Sequence, residues 1–161
     1  MRKGLIVLSV VGLLVPKIFY AQGPGVRSLQ ERYARKAQTQ QIMGEVIWIG
    51  DSLLPLFKAA NPEALSSLET DSLWIFRLLL NTHSPSVNFT QYDFGEKPYL
   101  QINPGDRLKI WKWIQGPSMM PSHHMNGFLL FKKRAGNAKN IRLVLPELFG
   151  DSLVFSWDRT P

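Results

Sequence analysis

The amino-acid sequence predicts a mainly β fold, an antiparallel and barrel-like β-sheet domain behind an N-terminal membrane helix. Three observations carry that expectation. From about residue 46 the chain is a series of short apolar runs, several alternating with period two, as strands with one buried face require. Turn residues separate the runs, and Asn103-Pro104-Gly105-Asp106 has Pro and Gly where a reverse turn prefers them. An apolar stretch behind a basic start occupies the first 22 residues.

Residues 1–22, MRKGLIVLSVVGLLVPKIFYAQ, suit a membrane anchor or a cleaved signal. The apolar part is short for a span of roughly 20 residues, and bulky Phe19 precedes the candidate cleavage position at Ala21. Arg2 and Lys3 would keep the N-terminus in the cytoplasm and send the remainder across the membrane. The expected location is therefore the cytoplasmic membrane, single-pass, with the main domain on the extracytoplasmic side. Cleavage would make the domain secreted or periplasmic.

Residues 23–45 begin with the break Gly23-Pro24-Gly25. They continue as VRSLQERYARKAQTQQ (26–41), rich in helix formers and polar on most sides, which predicts a short exposed helical stalk. Residues 46–161 make the expected β domain. EVIWI (45–49), SVNFTQYDF (86–94), YLQI (99–102) and RLKIWKWI (107–114) supply its first strands, while SLWIFRLLL (72–80) is an apolar run too short to assign by pattern. GFLLFKK (127–133), NIRLVL (140–145) and SLVFSW (152–157) complete it.

Composition narrows the chemistry. Hydrophobic residues are 45% and charged residues 19%, the balance of a chain that buries a core rather than one that stays disordered. With no cysteine, disulfide scaffolds, thiol nucleophiles, zinc knuckles and blue-copper centres are excluded. A net charge of +7 admits nucleic acid or an anionic membrane surface as partner. The cations Arg32, Arg35, Lys36, Lys109, Lys112, Lys132, Lys133 and Arg134 are spread along the chain without a nucleic-acid motif. With the apolar N-terminus, this favours a lipid surface and no nucleic acid.

VIWIGDSLLP (46–55) ends an apolar run in Gly50-Asp51-Ser52, a way of presenting a nucleophilic serine. GDSL recurs at 150–153. Esterases with such a box need an aspartate three residues before a histidine base. Leu80, Met120 and Pro121 stand there before His83, His123 and His124, which excludes that triad. A lysine can replace histidine when a desolvating pocket keeps it neutral.

GDSLLP (50–55), TDSLWIFR (70–77), KPYLQINPGDRL (97–108) and LPELFGDSLVFSWDR (145–159) come in the order of the conserved boxes of type I signal (leader) peptidases, which the chain resembles over about residues 50–159. The resemblance implies a membrane-anchored serine endopeptidase cleaving signal sequences from exported preproteins. Ser52 would be the nucleophile and Lys97 its base, with Asp151, Ser152, Ser156, Asp158 and Arg159 shaping the lysine pocket and no cofactor. Leu53 stands where the family has methionine, Thr70 for a glycine and Pro98 for an arginine, and Lys97 lies one residue further from Pro-Gly-Asp. One residue of slip points a strand side chain to the other face. A rival register takes GPSMMPS (116–122) as the serine box, with Ser118 as nucleophile and no lysine strand after it.

Plainer roles exist for the same residues. Ser52 can cap a helix starting at Leu53, Lys97 can be a solvated lysine at a strand edge, and Asp151, Asp158 and Arg159 can form surface ion pairs. The alternative reading is a non-catalytic exported or membrane-anchored β-sandwich, cupredoxin-like, serving as a subunit of a cell-envelope complex with other envelope proteins as partners. SHHM (122–125) supplies His and Met ligand types, but adjacent His123 and His124 would face opposite sides of a strand, and with no cysteine and no later histidine a complete copper site cannot be assembled.

Overall fold

A computed structural model describes residues 32–134 and 140–158. The fold is mainly β, with antiparallel sheets and few helices. Strand β1 (Ala34–Gln38) turns into β2 (Ile42–Trp48), which pairs with β3 (Leu73–Thr82). Two short helices, α1 (Leu54–Ala60) and α2 (Pro62–Leu65), lie between β2 and β3. Then come β4 (Tyr99–Ile102), β5 (Arg107–Lys109), β6 (Lys112–Gln115), β7 (His124–Lys132), β8 (Asn140–Leu148) and β9 (Asp151–Asp158). The larger sheet has the order β1-β2-β3-β7-β6 and the smaller β5-β4-β8-β9.

Alternation along β2 and β9 places one face of each sheet in a shared core. Val46, Phe76, Leu78 and Phe131 of the larger sheet meet Leu100, Leu143, Leu145 and Phe155 of the smaller. The centre of the larger sheet is covered on its other face as well. There Ile75, Phe128 and Leu130 pack against Leu53, Phe57 and Leu65 of the helical segment. This double cover explains why SLWIFRLLL is apolar without alternation: seven of the ten residues of β3 are buried. Each fully buried Leu or Phe of these layers contributes roughly 1.5–3 kcal/mol of transfer free energy.

RLKIWKWI is two strands rather than one. Its first part bonds β4 in the smaller sheet and its second part bonds β7 in the larger, with Ile110 and Trp111 between. The chain 107–115 thus belongs to both sheets. At the opposite margin β1 and β9 face one another across a seam, where Arg35 Nε donates to the Ser156 carbonyl oxygen at 2.9 Å and Trp157 Nε1 to that of Tyr33 at 2.8 Å.

Two expectations are corrected here. The helical stalk gives way to the β1–β2 hairpin from Ala34 onward, with Ala34 paired to Ile47 and Gln38 to Met43. Helix-forming propensity in ARKAQ is weaker than the pairing β2 offers, whose inward side chains fix the register. SVNFTQYDF is not a strand either, since Phe89–Gln91 forms a 3-10 turn closed by Asn88, whose side-chain oxygen accepts from the Thr90 N–H at 3.1 Å and hydroxyl at 2.7 Å. Among the described residues no helix is long and apolar enough to cross a membrane, and the expected anchor, residues 1–22, lies outside them.

Candidate functional site

A cleft of about 680 Å³ opens at the end of the sandwich where β2 and β9 finish. Its floor is aromatic. Trp48 lies 5.3 Å from Trp74 and 6.3 Å from Trp157 between ring centres, and Tyr33 stands edge-on to Trp48 at 5.8 Å. These indoles are core residues whose faces the cleft reaches, because each is at most 7% exposed. The rim is charged, with Arg32, Arg35, Lys133 and Arg134 against Asp51 and Asp158.

Two of the four rim cations are held by the protein. Arg35 lies 5.8 Å over the Trp157 ring and also donates to the carbonyl oxygens of Arg32 and Ala34. Arg134 pairs with Asp106 at 3.1 Å. Lys133 is exposed, with its ammonium 5.6 Å from the Trp74 ring, and Arg32 is exposed at the start of the described chain.

Ser52 lines this cleft, in the exposed turn that follows β2. It does not cap the helix. The N-cap of α1 is Leu53, without a side-chain bond, and Pro55 lies in the first turn, where its missing N–H costs nothing.

Lys97 does not line the cleft. It precedes β4 in a turn, its side chain is 44% exposed, and its ammonium lies 3.7 Å from Glu147 and 5.4 Å over the Tyr92 ring. Glu147 sits beside the β8–β9 turn, at a register shift between Leu145 and Leu148, with φ of 50°. Such a bulge re-aims a side chain out of the ladder. Burial pushes the neighbouring Tyr92 phenol well above its ordinary range, reinforced by the charges of Glu147 and Asp93, and its hydroxyl donates to the Pro146 carbonyl oxygen at 2.9 Å.

The expected catalytic set therefore divides between the two ends of β9. Asp158, at one end, shares the cleft with Ser52. Asp151 and Ser152, at the other, stand with Glu147 and Lys97, and Ser152 Oγ accepts from the Glu147 N–H at 3.4 Å. Seven strand steps separate Asp151 from Asp158, about 23 Å. The Ser52–Lys97 dyad is not assembled. The residue slip noted in the sequence is not absorbed by a bulge, because Lys97 precedes the strand altogether. Ser156 accepts from Arg35 at its backbone carbonyl oxygen and pairs with Arg142 in the β8–β9 ladder. Arg159 lies outside the described residues.

Ser118, the rival nucleophile, closes the β6–β7 loop, donating to the His124 carbonyl oxygen and accepting from the Met120 N–H at 3.3 Å. His124 Nδ1 is within 2.8 Å of Asn81 Oδ1. Among the described residues no three His, Asp or Glu side chains gather as metal ligands.

What the sequence did not disclose is the gathering of Arg32, Arg35, Lys133 and Arg134. They are a hundred residues apart along the chain and read there as dispersed charge, yet β3, paired to both β2 and β7, brings the two groups to one mouth. The adjacent cations at the end of GFLLFKK were the available signal. No protein-family model, no curated protein and no solved structure matches this chain.

Proposed function

We propose that this protein is a non-catalytic β-sandwich module, exported and tethered to the membrane through its N-terminal apolar segment, that serves a cell-envelope assembly by binding. The observation that carries the reading is the placement of Lys97. A serine–lysine protease needs its lysine desolvated beside the hydroxyl. Lys97 is instead half-exposed, paired with Glu147, and at the far end of β9 from the cleft of Ser52. The lysine that does share that cleft, Lys133, is exposed. An aromatic floor under a charged rim suits a polar ligand or partner segment better than bond cleavage.

The test is cleavage of secretory precursors by the detergent-solubilised full chain, with Ser52→Ala and Ser118→Ala beside it. No processing by any of the three is expected. Processing by the wild type that disappears in Ser52→Ala would establish a serine protease of the signal-peptidase type, with Lys133 the first lysine to examine. Loss only in Ser118→Ala would move the nucleophile to the β6–β7 loop.

A further inference from the structure

Four cations face two carboxylates around the cleft, and two of those cations, Arg32 and Lys133, extend into solvent. The basic character continues along β7, whose last residue, Lys132, places its ammonium 5.4 Å from the ring of Trp111, itself 45% exposed. Trp74 is only 7% exposed, so Trp111 is the indole available at this end. The described chain starts at Arg32, in the rim of this cleft. Residues 23–31 between the apolar segment and Arg32 can reach at most about 32 Å. The tether of the proposed function thus joins the domain at its basic, aromatic end. The opposite end, with Met119 92% exposed in the β6–β7 loop, lies eight strand steps away along β7, about 26 Å.

We infer that this end of the domain docks on the anionic phospholipid surface to which the chain is tethered, with headgroup phosphates met by Arg32, Lys132 and Lys133 and the Trp111 indole at headgroup depth. The ligand is a phosphate-bearing lipid surface because two signals coincide there. Basic side chains are attracted to anionic headgroups, and an exposed indole beside them prefers the interface. Arg32 and Lys133 supply exposed charge, and Arg35 and Arg134, bound to the protein, keep the rim in shape. This docking rests on the tethered reading but not on the absence of catalysis.

The absence of cysteine makes a direct test available, because a single introduced cysteine is the only thiol. The full chain carrying Ser52→Cys or Met119→Cys is labelled with a fluorophore and reconstituted in nanodiscs of phosphatidylcholine, with or without phosphatidylglycerol, holding a headgroup quencher. Strong quenching at position 52 and weak quenching at 119 is expected in the anionic discs, collapsing toward equality in 0.5 M salt or without phosphatidylglycerol. Arg32→Ala with Lys133→Ala should lower the docked-to-undocked ratio roughly thirtyfold, from about a fivefold contribution per cation near the surface. Both side chains are exposed, so the double variant keeps the fold, checked by circular dichroism. Equal quenching at the two positions in anionic discs overturns the inference. So does a pattern indifferent to salt and to the double substitution. A chain that does not enter the discs overturns the tether and the docking together, whereas precursor cleavage with docking intact overturns only the non-catalytic reading.

Discussion

Arg35 Nε donates to the Ser156 carbonyl oxygen at 2.9 Å, and through that bond the first described strand is fastened to the last. The guanidinium also lies over the ring of Trp157, so one side chain joins the two margins of the sandwich by a charge-assisted bond and a cation–π contact. Arg35→Ala should lower stability by about 1–2 kcal/mol, and Arg35→Lys should recover less than half, since an ammonium has no planar fork. Urea midpoints of the three proteins check this.

Gly127 should not accept a side chain. An added Cβ would meet the Trp113 ring at 2.3 Å and the Ile114 carbonyl oxygen at 2.4 Å, and the second is backbone that cannot turn aside. Gly127→Ala must therefore spread β6 from β7, at a cost of about 1–3 kcal/mol. Thermal unfolding, with faster amide exchange in residues 112–115, is the readout.

The second core predicts a local failure. Phe57 is 1% exposed and stands edge-on to Phe128 at 6.5 Å. Phe57→Ala should cost about 3–5 kcal/mol and loosen α1 and α2 before the sandwich. Proteolysis near residues 54–65 ahead of global unfolding would establish this order, and simultaneous loss would refute it.

Tyr92 sets an alkaline limit. Its phenol is pushed up in the fold, chiefly by burial and then by Glu147 and Asp93. Folding therefore favours the protonated form, and its contribution is complete below the unfolded value near 10 and lost as pH rises past it. Denaturant titrations at pH 8 and pH 11 should show stability falling. In Tyr92→Phe the fall should be shallower, although the variant gives up about 1 kcal/mol at pH 8 with the bond to Pro146.

Period-two alternation, turn residues and apolar runs made the strands at 42–48, 99–102, 124–132, 140–148 and 151–158 legible, because each of those signals is local, whereas 73–82, buried on both faces, shows no alternation to read. The hairpin at 34–38 was hidden, since nothing in ARKAQ prefers a strand until β2 offers it an edge. Ser52 at the lip of the cleft and Lys97 away from it were equally hidden. Spacing to Pro-Gly-Asp says which way a side chain points only if the residue is in the strand, and Lys97 is not. The rim cations are the same case in reverse, neighbours only because strand pairing makes them so.

The strand that serves both sheets has a kinetic side. Because 107–115 is common to both, and because the smaller sheet is built of β4, β5, β8 and β9 with β6 and β7 inserted between, neither sheet is a contiguous piece of chain. Neither can be completed while the other is absent. Refolding must close long loops before most pairings form, which places it among slow β topologies, on the scale of milliseconds to seconds. A domain folding on that timescale passes the interval with its apolar strands uncovered, most of all before β8 and β9 arrive.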